Sequence, residues 1–189
     1  MVVGTLVTAP DRETWRAWLA EHFETEREAW LVLPVNAAGE KSVSYNDAVE
    51  EALCFGWIDS TNKYLDALHC ARRFTRRNPK STYSQPNIER LKWLDAHGMI
   101  HPSVRPSVEA QLSAEFLFPE DILDAIRQDA TAWENYLTFS APYRRIRVAY
   151  IDAARKRPTE FQKRLQSFIE KTRRGKKIMG YGGVGKYYE

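Results

Sequence analysis

No run of about 18 apolar residues occurs anywhere in the chain, so no membrane-spanning helix is expected. Two cysteines, Cys54 and Cys70, are too few for a disulfide framework in 189 residues, and a reducing, cytoplasmic setting is the simplest reading. The opening residues, MVVGTLVTAPDRETW, lack a basic stretch ahead of an apolar core, so no signal peptide is read there. The four histidines are scattered. His97 and His101 are four apart, but Gly98 and Pro102 interrupt the helix that would put them on one face, and no metal site is expected. No serine sits in a GxSxG elbow. His69 and Cys70, as neighbours on a strand, point to opposite sides and cannot serve each other as base and nucleophile. In GYGGVGKY, Gly180, Gly185 and Lys186 have phosphate-loop spacing, but Tyr187 stands where a Ser or Thr must reach magnesium. No cofactor is implied.

What the chain does have is charge in blocks. Residues 1–60 carry a net −7, residues 61–108 a net +6, residues 109–141 a net −6 and residues 142–189 a net +10. Such blocks suit oppositely charged solvated faces, or a basic end that meets anionic partners.

The hydrophobic pattern predicts an α+β protein. Thr8-Ala9-Pro10-Asp11 reads as a helix start with Thr8 as its cap, and Trp15, Trp18, Leu19 and Phe23 form its buried stripe. Ala29 to Leu33 is an apolar strand, followed by a polar turn from Asn36 to Lys41. Ser44 caps a helix that buries Tyr45, Ala48, Val49, Ala52 and Leu53 and ends at Gly56. Trp57 to Tyr64 and Leu68 to Thr75 read as an antiparallel hairpin. Ser84 starts a helix that stops near Gly98. From about residue 104 the pattern is helical, with Thr159 and Gln162 as a capping box for the last helix. The expected organisation is an α+β domain over residues 1–103 with a small antiparallel sheet and packed helices. A helical region (104–175) follows, packed on that domain, and then a flexible basic tail with glycine and aromatic residues (176–189).

Residues 53–87 bring aromatic, acidic, cationic and hydroxyl side chains into one stretch, and a binding site is expected there. Alternation puts Trp57 and Asp59 on one strand face, where an indole could stack on a ring and a carboxylate accept its hydrogen bonds. The alternative is that Trp57 is core and Asp59 pairs with a nearby arginine. Arg73 and Arg77 offer guanidinium forks for a phosphate or carboxylate. Ser81, Tyr83, Ser84 and Asn87 add polar groups beside a helix start. The same arginines could instead answer the acidic first sixty residues.

The motifs ALCFGWIDS (Ala52 to Ser60), RFTRRNPKSTYSQPN (Arg73 to Asn87) and the Gly98-Met99 pair resemble the YdeI/OmpD-associated family of small bacterial proteins, often labelled bacteriocin-protection proteins. The likeness runs from Trp15 through the basic helices at Arg144 to Arg164. Arg76 and Tyr83 depart from it, standing where the family has a proline and a tryptophan. The resemblance implies a YjbR/CyaY-like α+β fold for the N-terminal part and a link with envelope stress and antimicrobial-peptide resistance, with no established chemistry. The reading that follows is a non-catalytic binding module for a small anionic or polar ring-bearing ligand. Two alternatives stand beside it: a nucleic-acid-binding protein using Arg72 to Arg77 and the basic C-terminus, and an enzyme with Asp59 as general base.

Overall fold

A computed structural model describes residues 4–35, 40–180 and 185–188. The chain divides into two units, Met1–Thr82 with Leu91–Leu112, and Tyr83–Arg90 with Ser113–Glu189.

In the first unit, strand β1 (Leu6–Thr8) lies parallel to β2 (Glu28–Pro34), and helix α1 (Arg12–His22) makes the crossover that a parallel pair needs. Thr8 ends a strand rather than capping the helix. Asp11 is the cap, its Oδ1 accepting the Thr14 N–H at 2.8 Å. A three-residue strand has too few positions to show alternation, which is why the sequence concealed it. Helix α2 (Tyr45–Cys54) starts at Ser44, whose hydroxyl accepts the Asp47 N–H at 3.1 Å. Gly56 then turns the chain with φ +72° into the hairpin β3 (Trp57–Tyr64) and β4 (His69–Arg76). The sheet order is β1-β2-β4-β3, antiparallel everywhere except β1 with β2. Four of the six residues expected in the polar turn after β2 lie outside the described residues.

One sheet face carries Ala29, Leu31 and Phe74, all fully buried. Trp15 lies against Phe74 with ring centroids 5.3 Å apart, and its indole N–H reaches the Ala48 carbonyl at 3.0 Å, pinning α1 to α2. Glu50 and Glu51 are also buried, which the apolar stripe of α2 did not show. Their partners make this tolerable, because a buried charge is costly unless paired. Glu51 receives Arg12 Nε at 2.5 Å and Arg16 Nη1 at 2.6 Å, and Glu50 receives Arg12 Nη1 at 2.9 Å. Tyr45, expected inside, is 40% exposed.

Helix α3 (Gln85–Ala96) gives Gln85 to Arg90 to the second unit and Leu91 to Ala96 to the first, where α4 (Arg105–Ser113) follows. The second unit continues with α5 (Glu120–Arg127), α6 (Ala130–Thr138), α7 (Ala141–Asp152) and α8 (Pro158–Arg173), around a core of Ile122, Ile126, Tyr143, Ile146 and Phe168. Helix α8 begins on Pro158, whose fixed φ and missing N–H suit a first helical position, so Thr159 lies inside the helix. Gly175 ends it at φ +65°. Ile178 then donates its N–H to Tyr143 Oη at 2.8 Å, and Arg147 Nη2 binds the carbonyls of Ile178 and Gly180. A short 3₁₀ turn, Gly185–Tyr188, packs on α7 and buries Tyr187. Residues 181–184, part of the glycine-spaced motif, lie outside the described residues.

Candidate functional site

The register of the hairpin decides what the 53–87 stretch can bring together. Trp57 pairs with Arg76, Ile58 with Thr75 and Asp59 with Phe74, so Trp57 and Asp59 share the face of the sheet that carries Phe74. Arg73 pairs with Trp30 on the opposite face. Asp59 and Arg73 are therefore on different sides of the sheet.

Each of these side chains already has company. Trp57 is buried, donates its indole N–H to the Phe23 carbonyl at 3.2 Å and meets Trp18 edge-on. Asp59 accepts the Tyr45 hydroxyl at 2.7 Å and lies 3.6 Å from Arg72, whose guanidinium sits 4.9 Å above the Tyr45 ring. Arg73 donates to Glu28 through Nε at 2.8 Å and through Nη2, and Glu28 also takes the Trp30 indole N–H at 3.0 Å. That indole N–H, then Arg73, hold the Glu28 carboxyl below its ordinary range. Arg77 donates its N–H to the Gly56 carbonyl at 2.9 Å and its Nη2 to the Ser81 carbonyl at 3.0 Å, folding the loop back on the strand end. Within that loop Ser81 Oγ donates to the Asn78 carbonyl at 2.8 Å.

In the second unit Tyr83 is half-buried and Ser84 is exposed, its carbonyl accepting the N–H groups of Asn87 and Ile88. Asn87 Oδ1 accepts Arg90 Nη1 at 2.8 Å.

What the first unit does leave open is a groove of about 330 Å³ beside Gly56. Phe23 and Phe55, with ring centroids 5.3 Å apart, supply its apolar wall, and Val104 continues it. Arg76 brings a cation to the rim, steadied by a hydrogen bond to the Glu24 carbonyl, and Ser103 and Ser107 add hydroxyls. His101 packs beside the two phenylalanines and hydrogen-bonds Ser103 Oγ at 2.9 Å through Nδ1. The sequence pointed to the neighbourhood through Gly56 but not to the partners. Phe23 stands 33 positions before it and Val104 48 after. The signal within reach was Arg76, which register puts opposite Trp57.

Chemistry at Cys54 is disfavoured. Both cysteines are free thiols, and burial pushes Cys54 up to about 12, far from the thiolate form. Among the described residues no group of His, Cys, Asp and Glu has the arrangement to hold a metal ion.

Comparison with known proteins follows this architecture. A family model described as a domain of unknown function, DUF8412, matches residues 7–107, more than half of the chain. The chain belongs to that family. A second model, described as "Bacteriocin-protection, YdeI or OmpD-Associated", matches residues 115–175 and supports the resemblance read from the sequence. The three motifs that carried that resemblance lie within the DUF8412 match, whereas the basic helices at its far end lie in the YdeI/OmpD-associated match. No curated protein and no solved structure matches the chain.

Proposed function

We propose that this DUF8412 protein is a non-catalytic binding module that takes a small anionic or polar ring-bearing ligand in the groove beside Gly56. The observation that carries this reading is the meeting of two phenylalanine rings, one arginine and two serine hydroxyls around an open volume of ligand size. A planar group lies against Phe23 and Phe55 while Arg76 takes its negative charge. Trp57, paired with Arg76 across the hairpin, and Asp59, 3.6 Å from Arg72, brace the strand on which Arg76 sits. The description of the second matching family supports a bacterial stress or antimicrobial-resistance setting, and two free cysteines fit a reducing cytoplasm. In the described residues no helix is long and apolar enough to cross a membrane.

The general-base reading of Asp59 loses support from its two partners, which favour the carboxylate as a structural acceptor. The nucleic-acid reading loses part of its basis because Arg72 and Arg73 face carboxylates.

The test is thermal unfolding of wild type, Arg76→Ala and Val104→Trp against nucleotides, sugar phosphates, polyphosphate and short oligonucleotides. A ligand at about 100 times its Kd stabilises by roughly 2.7 kcal/mol, a midpoint shift of several degrees. The expected result is a shift from a small molecule that both variants lose. A shift only with oligonucleotides, falling steeply with salt, replaces this reading with the nucleic-acid one.

A further inference from the structure

The groove beside Gly56 presents fewer hydrogen-bond donors than its two serines suggest. Ser107, in the first turn of α4, donates its hydroxyl hydrogen to the Val104 carbonyl at 2.7 Å. At Ser103 the hydroxyl and the backbone N–H both meet His101 Nδ1, at 2.9 and 3.4 Å. A ring nitrogen that meets a backbone N–H is an acceptor, so the Ser103 hydroxyl hydrogen turns to it as well. Each hydroxyl carries a single hydrogen, and what the two offer a ligand is therefore lone pairs.

The charges of the groove balance. Among the described residues that line it, Arg76 is the one cation and Glu24 the one carboxylate, and both are exposed. Arg76 gives Nη2 to the Glu24 carbonyl, which fixes the cation beside residue 24 and leaves the rest of its guanidinium fork for an anion. A phosphate head, at a charge of about −1.5 to −2, would meet one cation with a carboxylate close by. A carboxylate head is matched by Arg76 alone, and in the bidentate manner its planar fork favours. The Glu24 carboxylate and the two serine oxygens are acceptors, and they require a donor on the same ligand.

We infer that the groove selects an aromatic zwitterion, a ring-bearing molecule with one carboxylate and one ammonium group, such as a free aromatic amino acid. The ring lies mainly against Phe23, because Phe55 is 3% exposed and has the Arg16 guanidinium 5.3 Å from its own centroid. The carboxylate takes Arg76. The ammonium, which donates three hydrogen bonds and accepts none, takes Glu24 and the serine oxygens. This selectivity rests on the groove being a ligand site, as proposed above, whereas that proposal needs only a small anionic or polar ring-bearing ligand and survives without the selectivity.

The test is a titration of the ¹⁵N-labelled full chain with L-phenylalanine and L-tryptophan. Each is set beside its analogue without the ammonium (3-phenylpropionate, indole-3-propionate) and its analogue without the carboxylate (phenethylamine, tryptamine). The expected result is saturable shifts at the amides of Gly56, Ser103 and Val104, with at least one amino acid binding several-fold tighter than both of its analogues, the scale of an exposed ion pair. Glu24→Gln, a change on an exposed side chain, should bring that amino acid down to the affinity of its ammonium-free analogue and leave the analogue's binding no weaker. The inference is overturned if the ammonium-free analogues bind wild type as tightly as the amino acids, an outcome that leaves the groove reading standing. It is overturned too if the amino acid keeps its advantage in Glu24→Gln. If no compound shifts these amides the inference falls, and the nucleotide and sugar-phosphate panel decides separately whether the groove reading falls with it.

Discussion

The carboxylate of Glu89 is gripped side-on by Arg145, with Nε 2.6 Å from one oxygen and Nη2 2.7 Å from the other. Glu89 is almost fully buried and also accepts the Gln85 amide at 2.7 Å. Hydrogen bonding to Glu89 raises the Arg145 pKa against the opposing effect of burial. Removing Arg145 leaves the Glu89 carboxylate buried without its answer, so Arg145→Ala should cost about 3–5 kcal/mol. Urea denaturation followed by tryptophan fluorescence and circular dichroism measures it. A loss under about 1 kcal/mol would show that the pair behaves as a surface ion pair.

Cys54 should resist modification in the folded protein. Its thiol is buried and pushed up to about 12, chiefly by that burial, whereas Cys70 is half-exposed. Iodoacetamide followed by mass spectrometry should label Cys70 in the native chain, with Cys54 reacting only in denaturant. Equal labelling of both in the native chain contradicts this.

Hairpin stability should depend on pH through His69. Its Nδ1 faces Asp66 at 3.0 Å and its Nε2 faces Glu40 at 3.0 Å. Hydrogen bonding to Asp66, then to Glu40, raises the ring above its ordinary 6.5. The charged ring therefore contributes fully below 6.5, and the contribution disappears as pH rises through the folded-state value. Asp66 is lowered below 3.8, first by the Leu68 N–H and then by His69, so its contribution is present above 3.8 and is lost as pH falls through its folded value. The hairpin end is thus firmest between the two. An NMR titration should place the His69 midpoint above 6.5 and return it towards that value in Asp66→Asn.

Gly56→Ala should destabilise the protein by about 1 kcal/mol, the conformational cost of a side chain at positive φ. A Cβ there would sit 3.5 Å from a Val104 methyl, an ordinary contact, so the cost is one of backbone conformation. A lower urea midpoint with unchanged slope is the expected signature.

Tyr45→Phe and Asp59→Ala should each cost about 0.5–1.5 kcal/mol, and the double variant less than their sum, because both break one hydrogen bond. Full additivity would mean that the pair does not interact in solution.

The sequence made the periodic elements legible and concealed the relationships between them. The hairpin strands were expected at Trp57 to Tyr64 and Leu68 to Thr75 and are found at Trp57–Tyr64 and His69–Arg76. Glu50 and Glu51 were not expected inside, because their burial depends on Arg12 and Arg16 in another helix. A cleft between α7 and α8 of the second unit left a trace in Glu160, Lys163, Arg164, Ser167 and Phe168, which recur at helical spacing. That stripe mixes charge with apolar groups, so it resembles an exposed helix face until Arg147 and Ile151 are set opposite it.

The split of α3 between the units bears on how such proteins can be taken apart. Glu89 lies within the stretch matched by the DUF8412 description, and Arg145 within the stretch matched by the YdeI/OmpD-associated one. A graft of residues 115–175 alone would carry Arg145 away from its carboxylate, and a graft of residues 7–107 alone would strand Glu89. The helical unit is assembled from two separate stretches of chain, Tyr83–Arg90 and Ser113–Glu189, so it cannot be donated to another protein as a single cassette.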